Sequence, residues 1–309
     1  MISLEELFES GVHFGHRVNR WNPKMAEFIF GELNGIHIID LFQTQVALEK
    51  VTQFLSSERR ARLQNLKRGG LRSEAESLSN RKEDLSVLFV GTKKQIAGRI
   101  AWHAESISGH YVNHRWLGGL LTNWSTMKTC ITKYKELESK IFPLSSSLSE
   151  NFPTPSDSSA FTPALGTQAG GRTESRNPHQ SATKKERALQ LRSYEKMKKF
   201  FGGIKNMNDI PEIVIVVGQD SEMNAVRECQ KCLSLNTLSR AKASSDRLPQ
   251  TERNLGQRIR NNQVFPRTIT LLDTNCDPSE ADLFIPANDD SPKSVDCILS
   301  SLTAALGHS

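Results

Sequence analysis

A doubly wound α/β domain, with a parallel sheet covered by helices on both faces, is the fold class this sequence predicts. Three observations predict it. The runs Leu88-Phe89-Val90 and Ile213-Val214-Ile215-Val216-Val217 are apolar throughout, without alternation, as strands buried on both faces must be. Amphipathic stripes at helical spacing separate the strand candidates. At 309 residues the chain is also long enough for one large domain, or two modest ones, with a real core.

In chain order, the β-branched runs Ile36–Ile39, 85–90, Ile213–Val217 and 269–272 predict strands, with a weaker one at 283–285. Ala47, Leu48, Val51, Phe54 and Leu55 share one helical face, as do Ile96, Ile100, Ala104 and Ile107. Met223, Val226 and Leu233 form a third stripe. The last helix reads Ser291 as cap and Pro292 at the first position. Its inward residues are then Val295, Ile298, Leu299, Leu302 and Leu306. Between these layers, Met127, Ile131, Tyr134, Leu137 and Ile141 repeat at three and four, and Leu191, Tyr194, Met197 and Phe201 do likewise. Two successive amphipathic helices without a strand between them predict a protruding antiparallel coiled-coil hairpin over 120–201. The sheet domain then comprises 1–119 and 202–309.

Composition explains the remaining length. Apolar residues make up 37%, low for a globular chain, because three polar insertions dilute the core. Residues 143–183, the expected disordered tip of the hairpin, hold five prolines and no apolar periodicity. Residues 56–84 carry eight Lys/Arg against five Asp/Glu, and 236–267 carry seven against two. Both read as polar, flexible insertions, the first also as a solvated helix. The net charge of +6 therefore sits largely in the insertions. A nearly neutral body can bind a polyanion only through local patches.

Several function classes are excluded. Five scattered cysteines imply no disulfide framework, and Cys229-x-x-Cys232 has no second pair to complete a tetrahedral zinc site. No apolar run approaches the ~18 residues of a membrane span. The opening MISLEELFESGVHFGH has no Arg-rich leader, so neither a signal nor a transit peptide is expected, and the compartment is expected to be reducing.

Two dense runs point to RNA. Val112 to Trp124, VNHRWLGGLLTNW, sets two tryptophans and His114-Arg115 beside a Gly118-Gly119 bend. Rigid aromatic faces with multi-donor side chains can grip an irregular RNA, although a buried Trp pair at a turn is the plain alternative. Residues 11–25, GVHFGHRVNRWNPKM, interleave His13, His16, Arg17, Arg20 and Lys24 with aromatics. Trp21 either stacks on a base or plugs the core, and Asn22-Pro23 aims Lys24 outward. A metal reading of His13-x-x-His16 lacks a third ligand at ligand spacing. Gly91-Thr92-Lys93-Lys94 lacks the glycines of a nucleotide loop, yet a helix start with Lys93 and Lys94 can hold an RNA phosphate. Asp40, Asp220, Asp273, Asp277, Asp289 and Asp290 at strand ends raise magnesium-dependent phosphoryl transfer as a rival. Turn and cap chemistry accounts for them equally well. No enzyme, cofactor, metal or small-molecule substrate is expected.

Taken together these runs resemble the small-subunit ribosomal protein two family of bacteria and plastids. The matching stretches are GVHFGH with WNPKM, FIFGELNGIHIIDL, LFVGTKK, VNHRWLGGLLTNW, FGGIKNM with Pro211-Glu212, LLDTNCDP and IPANDD. They stand in the family's order and span the chain outside the three insertions. The resemblance implies a flavodoxin-like three-layer domain with the coiled-coil hairpin. It also implies a non-enzymatic place in the small ribosomal subunit, bound to ribosomal RNA between head and body. Expected contacts are His13, His16, Arg17, Arg20, Lys24, Lys93, Lys94, His114 and Arg115, with Trp21 and Trp116 organising the surface. Neighbouring ribosomal proteins, the multi-domain small-subunit protein one among them, are the implied partners. The wording of Ala101-Trp102 and His110-Tyr111-Val112-Asn113 looks plastid, which implies the chloroplast stroma, with the bacterial cytoplasm as the alternative.

Overall fold

The computed structural model describes residues 2–68, 85–141, 184–241 and 266–307. Its centre is a five-stranded parallel sheet. The strands are β4 (Val87–Val90), β5 (His110–Val112), β6 (Ile213–Val217), β7 (Arg267–Leu272) and β8 (Leu283–Pro286), in the spatial order β5-β4-β6-β7-β8. Counted within the sheet this is 2-1-3-4-5, the doubly wound order of flavodoxin-like folds, and the order reverses between β4 and β6.

The apolar runs occupy the middle. Every residue of β4 and β6 is buried. Alternate residues Val87, Phe89, Ile213, Ile215, Val217, Ile269 and Leu271 face a core built with α2 (Leu41–Arg68), α3 (Ala97–Ser106) and α7 (Pro292–Leu306). The intervening Leu88, Val90, Val214 and Val216 are equally buried, and α6 (Met223–Ala241) packs against β6 and β7. Each face of the sheet is thus covered by helix, giving three layers. The anticipated stripes of α2, α3 and α7 face the core, with Ala47, Phe54, Ile107 and Leu306 half-buried at their margins. In α6 the buried line is Ala225, Val226, Glu228, Cys229 and Cys232, with Met223 and Leu233 at its margin. Ser291 stands at the cap of α7 without a cap bond. The Asn288 side chain instead accepts from the Asp290 and Ser291 amides.

Ile36–Ile39 is a strand of a different sheet. It is β3, the centre of a small antiparallel sheet between β1 (Phe14–Arg17) and β2 (Ile29–Leu33). β2 and β3 join through Asn34-Gly35, both at positive φ, with Leu33 opposite Ile36. That is the two-residue turn whose twist matches paired strands. Met25, Leu272 and Cys276, with Phe28, Ile29 and Phe284, form a minor core that anchors this sheet over β7 and β8.

The chain divides into two units, residues 1–131 with 199–309, and residues 132–198. The expected hairpin limits of 120 and 201 fall inside the first unit, because Leu120, Leu121, Trp124 and Phe201 bury their side chains there. The second unit contains the distal part of α4 (Trp124–Ile141) and most of α5 (Lys184–Phe201), whose Tyr134 and Tyr194 rings stack at 5.5 Å. α2 continues to Arg68 and α6 to Ala241, so the 56–84 and 236–267 insertions begin as helix rather than as loop. The expected tip at 143–183, and residues 69–84 and 242–265 of the two insertions, lie outside the described residues.

Phe89 is fully buried in the central layer. Phe89→Ala should therefore cost about 3–5 kcal/mol, read as a lower urea midpoint with an unchanged transition slope.

Candidate nucleic-acid interface at the carboxyl edge of the sheet

In a parallel sheet all strands end on one edge, so the loops after β4, β5, β6, β7 and β8 converge there. β1 is laid across the same edge by close backbone approach. A Cβ at Gly15 would lie 2.6 Å from Thr274 Cγ2 and 3.0 Å from the His37 carbonyl oxygen, and Thr274 Oγ1 accepts from the His16 amide at 2.9 Å. Only glycine permits that crossing.

The loop after β5 is organised from beneath. Glu228 of α6 is buried, and its carboxylate accepts from Trp116 Nε1 (2.9 Å) and from the amides of Gly119 (3.3 Å), Leu121 (3.0 Å) and Thr122 (2.9 Å). It also accepts from Thr122 Oγ1 (2.8 Å). Gly119, at φ +83°, turns the backbone so that these amides converge. Trp116 is consequently a buried anchor, 7% exposed, which holds the loop from beneath and presents little of its own ring at the surface. Its neighbours His114 and Arg115 are exposed.

A second cluster gathers around β7 and β8. His16 Nδ1 lies 2.9 Å from Asp273, and its Nε2 lies 3.5 Å from Asp290. Lys93 Nζ donates to Asp289 at 2.6 Å and Asp290 at 2.7 Å. Asp273 and Asp289 are each 1% exposed. The hydrogen bond to Asp273 raises the pKa of His16 against the opposing effect of burial. Burial and repulsion from Asp273 push Asp289 up to about 6, outweighing the pull of Lys93. Burial would lower Lys93, but Asp289 and Asp290 prevail and leave it raised. His16, Asp273 and Asp289 each offer a ligand atom within 4.8 Å of the others. This donor set of one nitrogen and two carboxylates suits a divalent cation, with the Lys93 ammonium already supplying part of the compensating charge.

The remaining expected residues have distinct fates. His13 is 8% exposed and stacked on Phe8 at 4.4 Å, so little of its ring is left at the surface. Lys24 donates to Asp277 at 2.6 Å and to Ser279 at 3.0 Å; the bonds that Asp277 accepts from Lys24 and from the Ser279 hydroxyl (2.6 Å) hold its carboxyl down at about 2. Trp21 is 40% exposed and tilts against the buried His37. Arg17, Arg20 and Lys94 are exposed and, like Arg115, form no ion pair among the described residues. Burial pushes Cys232 and Cys276 up to about 12, and Cys229 well above its usual range, so these thiols stay protonated.

Sequence reasoning missed Glu228 entirely and gave Asp273 and Asp289 only turn, cap or rival metal roles. His16 and Asp273 are 257 positions apart, beyond any spacing rule. Glu228 did leave a signal, an acidic residue between buried Val226 and Cys229.

With this geometry in place, similarity to known proteins decides the family. The chain matches Ribosomal protein S2 over residues 7–66, 75–153, 168–239 and 250–309. It belongs to the ribosomal protein S2 family. It is 38% identical to "Small ribosomal subunit protein uS2" of Picosynechococcus, across 99% of this chain and 86% of that one. It is 36% identical to "Small ribosomal subunit protein uS2c" of Oltmannsiellopsis viridis and of Mesostigma viride, across 99% of this chain and 92% and 96% of theirs. Members of this family are structural proteins of the small ribosomal subunit, not enzymes, and an S2 chain has ribosomal RNA and neighbouring ribosomal proteins as its surroundings.

Two outcomes follow for the S2 chain. Glu228→Gln leaves part of the donor set unsatisfied and should destabilise the protein by about 1–3 kcal/mol, with loss of the near-ultraviolet dichroism of Trp116. The His16 contribution depends on pH with a definite sign. A raised folded-state pKa means the His16–Asp273 pair stabilises fully below the unfolded value near 6.5, and the benefit fades as pH rises through the folded value. In a chelator, the stability difference between wild type and His16→Asn should shrink from pH 6 to pH 9; a difference that grows instead contradicts the pairing.

Proposed function

We propose that this chain binds small-subunit ribosomal RNA between the head and body of the particle and supports translation as a structural constituent. The observation that carries this reading is a set of exposed basic side chains on β1, the turn after it and the loops of the carboxyl edge, of which Arg17, Arg20, Lys94 and Arg115 form no ion pair among the described residues. Arg17, Arg20, Lys94, His114 and Arg115 meet phosphate and sugar, and Trp21 offers a ring. His16, Lys24 and Lys93 remain candidates whose charge must first be shared with Asp273, Asp277, Asp289 or Asp290. α4 and α5 are read as an antiparallel coiled-coil hairpin, supported by the stacked Tyr134 and Tyr194. The multi-domain small-subunit protein one is a candidate neighbour through the family resemblance.

The plastid stroma is the proposed location, with the bacterial cytoplasm the alternative. Motif wording supports it, and relatives of both kinds match the chain at similar identity.

Tagged protein should co-sediment with small subunits at physiological salt; its absence from that band overturns the reading. Arg17→Ala with Arg115→Ala removes two phosphate contacts. The slope of log affinity against log salt should flatten by about 1.4–1.8, measured by filter binding to small-subunit RNA. An unchanged slope removes both residues from the interface.

A further inference from the structure

Just ahead of β1, where Phe8 rests on His13, the sheet-bearing unit carries a surface that is apolar and acidic at once. α1 (Leu4–Glu9) and the first residues of α2 enclose a groove of about 380 Å³ lined by Leu4, Glu5, Phe8, Glu9, Leu41 and Phe42. The rings of Phe8 and Phe42 are 61% and 67% exposed, and Val46, one turn beyond Phe42, is 51% exposed. Large side chains grouped this way in water mark a contact surface more than scattered exposure does.

The groove is also preorganised. Phe8 stacks on buried His13 with their planes only 6° apart, and the Phe42 amide donates to Asp40 at 2.9 Å. Holding a binding face rigid before association reduces the ordering cost of contact.

Its polar rim has one sign. Glu6 is engaged in the capping box with Ser3. Glu5 and Glu9 form no ion pair among the described residues. No Lys or Arg lines the groove. In a chain of net charge +6, this patch repels phosphate and attracts a cation-bearing partner. Apolar rings beside a charged rim accept one face of an amphipathic helix, with anchors at i, i+3 or i+4, and i+7.

We propose that this groove docks a basic amphipathic helix of a neighbouring small-subunit protein. Its apolar face lies between Phe8 and Phe42, and its Lys or Arg side chains meet Glu5 and Glu9. The proposal rests on the ribosomal reading for the presence of such a neighbour, and on the groove for its chemistry.

The test places the photo-crosslinking residue p-benzoylphenylalanine at position 42, and in a second strain at position 8. Assembled small subunits are purified, irradiated and analysed by mass spectrometry. Position 102 on α3 serves as control, since Trp102 is equally exposed at 61%. Both groove positions should crosslink to one neighbouring protein, at a segment of net positive charge with helical apolar spacing. Glu5→Lys with Glu9→Lys should reduce the yield at least tenfold while the chain stays in the subunit band. Crosslinks to RNA, to the same chain, to a second copy or to an acidic segment overturn the proposal. So do an absent crosslink and a yield indifferent to charge reversal. Loss of the unsubstituted chain from the subunit band overturns the ribosomal reading and this one with it.

Discussion

The Glu228 carboxylate sits buried with no cation beside it among the described residues, and the loop after β5 exists in its present shape because of that. Burying a lone carboxylate costs several kcal/mol unless its charge is met. Here it is met by converging backbone amides, one indole N–H and one hydroxyl. Such a nest of dipoles is a fixed arrangement. It ties the β5–α4 connection to α6 across the point where the strand order reverses. The most motif-rich loop in the chain is therefore an extension of the rigid scaffold, and His114 and Arg115 project from a base that does not need to be ordered on binding.

The same economy of charge governs the rest of the carboxyl edge. Asp273, Asp289 and Asp290 neutralise His16 and Lys93, and Asp277 neutralises Lys24. These pairs lock β1 and the loop after β4 onto β7 and β8. Among the described residues of this edge, the exposed Arg17, Arg20, Lys94 and Arg115 are left without an ion pair, beside an exposed His114. A body close to neutral can then present a directional basic surface, and the acidic groove of α1 and α2 can face another kind of partner.

Much of this fold was legible because burial on both faces leaves an unmistakable trace. Ile213–Val217 cannot alternate, and Leu48, Val51 and Leu55 cannot avoid a stripe. The small antiparallel sheet was legible only in part. Asn34-Gly35 between IFGEL and IHII is a strong hairpin signal, but Gly15 and Gly31 inside β1 and β2 disguise both strands. β5, three residues long, is fixed by its parallel partner β4 and by little within itself. In the site, exposed basic residues were readable from composition. Their internal carboxylate partners were not, because Asp273, Asp277 and Asp289 reach them only after the chain has closed the sheet.

The strand order has a consequence for how the protein is made. β4 is flanked by β5 on one side and by β6 on the other, and β6 begins about 120 residues after β4 ends. At a synthesis rate of roughly 5–20 residues per second, β4 waits on the order of 6–25 s with one edge unclosed while the intervening chain is translated. During that interval Val87–Val90, apolar on both faces, is an open template for stray pairing. A nascent chain of this topology has reason to depend on a chaperone at the tunnel exit until Val217 emerges.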